Sequence, residues 1–199
     1  MARLSVSEHR AALMPCVLAC AWLISLPAVA QEANGCPEGS YSIVVSPDGT
    51  TLSILFDQFT LENSGPRRKV CRISSPIELP ANQSIGVYKV DYRGFAKLAA
   101  KQGTELDVQY FLGPHDNQHG RVFKRRVKGP HEGDYSFTEN IGAGQMKRVG
   151  CGTAAKLEVG ITLSLDGDLR TGEAMASLDT TDAAPGGALV YHLDLKKCR

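Results

Sequence analysis

Hydrophobic and polar residues alternate with a period of two along most of the chain beyond residue 30. The clearest run is residues 157–165, where Leu, Val or Ile fills every odd position and Glu, Gly, Thr or Ser fills every even one. Similar alternation covers residues 88–93, 106–112 and 189–196, and the apolar runs 41–45 and 51–56 flank a turn sequence, Ser46-Pro47-Asp48-Gly49. A period of two is typical of strands with one buried and one wet face, so these segments are predicted strands.

Turn sequences recur about every ten residues between these strands, a spacing typical of antiparallel sandwiches and barrels. One helix-like stretch, residues 95–102, is at most about two turns long and is followed by Gly103, a candidate helix C-cap. The pattern therefore predicts an all-β protein, a single-domain antiparallel β-sandwich of about eight to ten strands.

The first thirty residues have the composition of a secretory signal peptide. Arg3 and Arg10 give a basic start, residues 11–26 are almost wholly apolar, and Ala28-Val29-Ala30 is the small-x-small pattern of a cleavage site. A membrane anchor is the alternative, but an apolar run of about 16 residues is short for a span. Lipidation at Cys20 is a second alternative. We predict cleavage after Ala30, a domain over residues 31–199, and no stable membrane insertion once the signal is removed.

Charge and cysteine content fit an exported globular domain. Two of the 22 Lys and Arg and one of the 21 Asp and Glu lie in the first thirty residues, so the remainder carries 20 of each. Four cysteines remain in that part: Cys36, Cys71, Cys151 and Cys198. An even number in an exported protein predicts two disulfides, with three pairings open. The absence of Cys-x-x-Cys disfavours a zinc site, and the expected location is extracellular or periplasmic.

Several short motifs, in order along the chain, are shared with one known family. They are Gly35-Cys36-Pro37 with Gly39-Ser40, Ser46-Pro47-Asp48-Gly49-Thr50-Thr51, Arg68-Lys69 with Cys71, Asp91-Tyr92-Arg93-Gly94, Tyr110-Phe111, Cys151-Gly152 and Cys198. With these residues the chain resembles domain of unknown function 4360, a family of small secreted proteins from fungi and bacteria. The resemblance implies export, four paired cysteines and an all-β fold, and it supplies no established activity or catalytic residue. It also implies that residues 95–102 link two strands through a short turn.

Two clusters of basic residues are the first candidates for binding. They are Arg121, Lys124, Arg126 and Lys128 in one predicted strand, with Arg125 between them, and Arg67 and Arg68 with Lys69 and Arg72. If the two strands are neighbours, the combined patch suits an anionic polysaccharide or a lipid headgroup. The alternative is an edge strand whose Lys and Arg prevent edge-to-edge pairing. Nucleic acid is disfavoured, because the charges balance and no aromatic residues interleave with the basic ones.

Metal sites are weakly indicated. His115 and His119 in one loop could hold zinc or copper, but two ligands leave most of a tetrahedral shell unfilled, so a polar surface loop is the competing interpretation. Asp166 and Asp168 have the i, i+2 spacing of calcium ligands, yet an Asp-Gly turn is expected at this position in any case. We therefore predict no metal and no cofactor.

Catalytic signatures are also sparse. There is no Gly-x-Ser-x-Gly, and the four cysteines are assigned to disulfides. The sequence predicts a secreted or periplasmic, non-catalytic module that binds a surface polymer or a surface protein. The alternative is a secreted hydrolase that uses paired carboxylates such as Asp57 and Asp91, with Asp107 as a further predicted strand carboxylate. Asn82-Gln83-Ser84 is an N-glycosylation acceptor for a host that modifies such sites.

Overall fold

A computed structural model describes residues 32–113, 121–178 and 189–198 of the chain. The predicted signal peptide, His115 and His119 lie outside these residues. Within them the protein is all-β. The strands are β1 (Glu32–Asn34), β2 (Tyr41–Val45), β3 (Thr51–Phe56), β4 (Thr60–Glu62), β5 (Arg68–Ile77), β6 (Gln83–Leu98), β7 (Gln102–Gly113), β8 (Arg121–Lys128), β9 (His131–Asn140), β10 (Arg148–Gly150), β11 (Ala155–Gly167), β12 (Met175–Ser177) and β13 (Leu189–Lys197).

The strands form two sheets that pack face to face. The five-stranded sheet has the order β1-β5-β11-β7-β8, and only β1 and β5 pair in parallel. The eight-stranded sheet has the order β2-β3-β13-β6-β12-β4, with β9 and β10 also paired to β6. Buried side chains of both sheets make one hydrophobic cluster between them. This arrangement is the predicted antiparallel β-sandwich.

Alternation in the sequence corresponds to alternation in burial. Every odd residue of β11 from Ala155 to Leu165 is buried, whereas the even residues are half-exposed. Four described strands, β1, β4, β10 and β12, have three residues each, and nine are longer. The nine longer strands match the eight to ten expected, because three-residue strands are too short to show a period.

Two connections follow local side-chain chemistry. In the turn between β2 and β3, the hydroxyls of Ser46 and Thr50 donate to Asp48 at 2.6 and 2.8 Å. Gly49 follows with a φ of 71°. At the second connection, β6 continues to Leu98 and β7 begins at Gln102, so the helix-like stretch forms no helix. A short turn links the two strands, as the family resemblance implies, but it covers only residues 99–101, because residues 95–98 continue β6.

β6 is the central strand of the larger sheet. It pairs with β13 and β12 along one edge and with β9 and β10 along the other. Its register with β13 shifts between His192 and Leu193, which makes Tyr88 the extra residue of a β-bulge. The strand therefore brings residues from distant parts of the chain side by side.

Two disulfides fasten the ends of the described domain. Cys36 bonds Cys71 and Cys151 bonds Cys198, which selects one of the three pairings left open by the sequence. Asn82 lies exposed in the turn before β6. Residues 32–113, 121–178 and 189–198 contain no helix with the length and apolar character needed to cross a bilayer.

Candidate functional site

An open groove of about 590 Å³ lies on the outer face of the eight-stranded sheet. The strand registers build it, because Ser53 of β3 is opposite Val190 of β13, and Val190 is opposite Asp91 of β6. Asp91 is in turn opposite Thr138 of β9, so one row of side chains crosses four strands. We call this feature the Asp91 groove; its lining includes Val44, Ser46, Ser53, Asp91, Arg93, Ser136, Thr138, Val190 and His192.

The Asp91 carboxylate contacts three other side chains at the groove. The Thr138 hydroxyl donates to Oδ1 at 2.6 Å, and Lys89 Nζ and His192 Nε2 lie 3.1 and 2.7 Å from Oδ2. Burial by itself raises the pKa of Asp91, but the hydrogen bonds from Thr138, Lys89 and His192 outweigh burial and lower the pKa below its ordinary value. Asp91 is therefore an ionised organising residue of the groove at neutral pH.

The bulge of β6 lies next to the His192 end of the groove. Two consecutive residues, Tyr88 and Lys89, occupy the space opposite His192 where a regular ladder has one. The Tyr88 ring centroid lies 5.9 Å from that of His192, and Tyr88 is 43% exposed. The bulge thus places an accessible aromatic ring beside the polar network of Asp91.

Asp91 suits hydrogen bonding better than general-acid catalysis. A general acid must be protonated at the working pH, and the pKa of Asp91 is shifted in the opposite direction. Its oxygens already accept from three side chains. The groove offers hydroxyl groups of Ser and Thr residues to a ligand.

Asp57 and Asp91, the carboxylates of the hydrolase alternative, do not face each other. Asp57 is exposed in the turn after β3, four residues beyond the row that contains Ser53 and Asp91. Strand spacing and rise put their Cα atoms roughly 16 Å apart. Asp107 lies on β7, in the other sheet. Glycosidase carboxyl groups are about 5–10 Å apart, so these aspartates do not form such a pair.

The two basic clusters lie on different parts of the five-stranded sheet. Arg121, Lys124, Arg126 and Lys128 belong to β8, which is an edge strand, and Arg67 and Arg68 lie at the start of β5. Two strands, β11 and β7, separate β5 from β8, a distance of about 14 Å. The condition for one continuous basic patch, that the two strands are neighbours, is therefore not met.

Most of the basic side chains of β8 already contact carboxylates. Lys124 Nζ is 3.0 Å from Asp107 and 3.6 Å from Glu105, and the hydrogen bond to Asp107 raises the pKa of Lys124. Arg126 bonds Asp166 at 2.5 Å, and Arg125 forms an ion pair with Glu139. These ion pairs reduce the positive electrostatic potential along β8.

The described residues contain no group of three His, Cys, Asp or Glu side chains arranged to hold a metal. Asp166 is engaged by Arg126, and Asp168 accepts from Arg170. The weak candidates His115 and His119 fall outside the described part of the chain.

Comparison with known proteins gives a family match and a secreted relative. A family model for a domain of unknown function, DUF4360, matches residues 24–198. The chain belongs to this family. The DUF4360 chain is also similar to a protein of Arthroderma benhamiae described as an uncharacterized secreted protein, with 25% identity over 167 residues, 81% of this chain and 67% of the relative. No solved structure matches this chain.

Sequence reasoning on this DUF4360 chain selected Asp91 but did not find its partners. His192 lies 101 positions after Asp91 in the sequence, and Thr138 lies 47 positions after Asp91. The outward positions of Asp91 and His192 in alternating segments were the available signal, whereas Thr138 lies in a strand that was not predicted from the sequence. Alternation shows that a side chain faces solvent, but it does not show which side chain of another strand it contacts.

Proposed function

We propose that this protein is an exported, non-catalytic binding module that recognises a neutral polysaccharide at a surface through the Asp91 groove. The observation that carries the proposal is the row of hydroxyl and charged side chains along an open groove on one sheet face. An open groove suits a linear polymer, because sites for small ligands enclose most of the ligand surface.

Charge compensation inside the groove favours a neutral ligand. Lys89 forms an ion pair with the Asp91 carboxylate and His192 lies within hydrogen-bond distance of it, so the positive charge of Lys89 faces an anion of the protein itself. Hydroxyl groups of a sugar chain are donors and acceptors that match Ser, Thr and carboxylate groups. The Tyr88 ring adds an apolar surface for a sugar face.

Export is supported by the signal-like leader, by the two disulfides and by a relative described as secreted. Family membership assigns no activity, so binding rests on the groove alone.

The test is binding of the oxidised, secreted protein to an array of neutral and acidic polysaccharides at low and high salt. We expect selective binding to a neutral polymer that survives high salt, because contacts to an uncharged ligand are not screened. His192→Ala is expected to weaken binding about tenfold or more, and His192→Gln, which keeps a hydrogen-bond donor, to weaken it less.

The matched control is Arg67→Glu with Lys128→Glu, which reverses two exposed basic residues that have no ion pair within the described ranges. This variant is expected to bind like the wild type. The opposite result is binding to acidic polymers that weakens as salt rises and that is lost in this double variant. That result would assign binding to the basic clusters and not to the groove. An array without signal would rule out the polysaccharide proposal.

A further inference from the structure

The outer face of the five-stranded sheet, on the opposite side of the sandwich, has a second concavity of about 360 Å³. Gly160 of β11 lies at its centre, opposite Arg72 of β5 and Gln109 of β7. One row further, Phe111 of β7 is opposite Glu158 of β11. We call this feature, lined by Arg72, Ser74, Gln109, Phe111, Glu158 and Gly160, the Gly160 pocket.

Neither backbone conformation nor packing requires glycine at position 160. Its φ is not in the left-handed region, and a Cβ there would meet only Gln109 Cβ, at 4.0 Å. Glycine inside a strand is less stable than alanine and often marks close approach of a ligand or another backbone. The missing side chain is what opens the pocket.

Phe111 supplies an aromatic wall to the pocket, beside polar residues of the same strand. The outward residues that precede it on β7 are Glu105, Asp107 and Gln109. The ring is only half-buried, and it lies over Gly113, where a Cβ would come within 2.6 Å of Cε1 and Cζ. Because Gly113 has no side chain, the Phe111 ring can lie close to the sheet and still line the pocket.

The polar side chains of the pocket retain hydrogen-bonding capacity. Among the described residues, neither the Arg72 guanidinium nor the Gln109 amide has a hydrogen bond or an ion pair. Glu158 is held by Lys156 at 2.5 Å and keeps its other carboxylate oxygen for a ligand. The set contains both donors and acceptors, and the Glu158 carboxylate lies among the positive charges of Arg72 and Lys156.

We propose that the Gly160 pocket binds one pyranose ring of a neutral polysaccharide, as a second sugar site that rests on the proposed function of the Asp91 groove. The apolar C–H face of the ring packs against Phe111, because aromatic faces are electron-rich and the C–H edges are weakly positive. The sugar hydroxyls bond Arg72, Gln109 and Glu158. Opposite charges in the pocket disfavour a polyanion, and three polar side chains disfavour a purely apolar ligand.

The test is a two-dimensional ¹H–¹⁵N NMR titration of the oxidised protein with hexasaccharides of β-1,3-glucan, β-1,4-glucan, chitin and α-mannan. We expect at least one of them to shift the backbone amide signals of Gln109 and Gly160. Phe111→Ala should weaken the titration of these signals at least tenfold. Gly160→Leu, which fills the pocket, should abolish the shift at Gln109.

The matched control is Thr162→Leu, which places the same side chain two residues along the same strand face and outside the pocket. It should titrate like the wild type. Shifts only around Asp91 and Val190 would overturn the second site and leave the proposed function standing. Shifts only around Gly160 would support the pocket and overturn the groove, and no shift in either region would overturn both. A shift at Gln109 that persists in Phe111→Ala and Gly160→Leu would also overturn the pocket.

Discussion

At the scale of single residues, Asp91 connects three strands through one carboxylate. Its partners come from β6 itself, from β9 and from β13. Because the pKa of Asp91 is lower in the folded protein than in the unfolded chain, its contribution to stability is complete above the unfolded pKa of about 4 and is lost as the pH falls through the folded pKa.

We expect Asp91→Asn to lower the free energy of unfolding by about 1–3 kcal/mol at pH 7. The difference from wild type should shrink in acid, once Asp91 is protonated in both states. Urea unfolding at pH 7 and pH 2.5 measures this. Asp134→Asn, an exposed carboxylate of β9, is the control and should have little effect. An equal loss from Asp91→Asn at both pH values would assign the effect to packing and not to charge.

Two buried tyrosines behave differently at this scale. The Tyr191 hydroxyl is buried without a hydrogen-bond partner among the described residues, and burial raises the pKa of Tyr191 well above its usual value. The Tyr135 hydroxyl, in contrast, donates to the Ser177 carbonyl at 2.8 Å. A buried polar group without a partner costs free energy, so the two hydroxyls contribute with opposite sign.

Tyr191→Phe is therefore expected to raise the free energy of unfolding by about 1 kcal/mol, and Tyr135→Phe to lower it by about the same amount. Thermal and urea unfolding of both variants give the comparison. A loss of stability in Tyr191→Phe would mean that its hydroxyl has a partner, such as an internal water.

At the scale of elements, β8 and β9 bring the two sheets together at one side of the sandwich. β8 is an edge of the five-stranded sheet, and β9 pairs with β6 of the other sheet. Arg125 and Glu139 form an ion pair between these strands, and the Glu139 side chain is only 12% exposed. The arginine thus neutralises a carboxylate that lies near the core.

Replacing Arg125 by Met should destabilise the protein by about 1–3 kcal/mol, because the largely buried Glu139 carboxylate would lose its partner. The double variant Arg125→Met with Glu139→Leu should recover most of that loss. Arg126→Met, which breaks the more exposed pair with Asp166, is the control and should cost at most about 1 kcal/mol. Chemical denaturation of the four proteins, wild type included, completes the cycle. Failure of the double variant to recover stability would contradict this account.

Element by element, the sequence predicted what depends on local periodicity. β11 was predicted because each of its inward positions is apolar, and the β2–β3 turn because Pro-Asp-Gly chemistry is local. The pairing of strands is not local. It brings His192 next to Asp91, and it places β11 and β7 between the basic clusters of β5 and β8. The Tyr88 bulge also depends on pairing, since the register shift exists only relative to β13.

At the scale of the whole molecule, the disulfides differ in accessibility. Cys36 and Cys71 are 8% and 0% exposed, whereas Cys151 lies at the surface. The bonds close 35 and 47 residues, and chain entropy assigns each a contribution of about 4 kcal/mol. The two disulfides are thus expected to stabilise the protein by similar amounts, but a reductant reaches Cys151–Cys198 more easily than Cys36–Cys71.

Mild reductant on the native protein should therefore open Cys151–Cys198 well before Cys36–Cys71. Timed alkylation followed by peptide mass spectrometry measures the order, and the same experiment in denaturant should remove the difference. Loss of the first bridge should lower the free energy of unfolding by about 2–4 kcal/mol. Equal rates of opening in the native protein would contradict this prediction.

The position of these two bonds also governs how the molecule transmits tension. A pull on residues 36 and 198 passes from Cys36 directly to Cys71, and from Cys151 directly to Cys198. Only the roughly 80 residues from Cys71 to Cys151 are then free to lengthen, at most about 280 Å at 3.5 Å per residue. The segments 36–71 and 151–198, which contain β2, β3 and β13, lie outside that covalent path, whereas β6 with Asp91 and β9 lie within it. Stretching the molecule would therefore draw β6 and β9 away from β13 and take the Asp91 groove apart, while the two disulfide-closed segments keep their length.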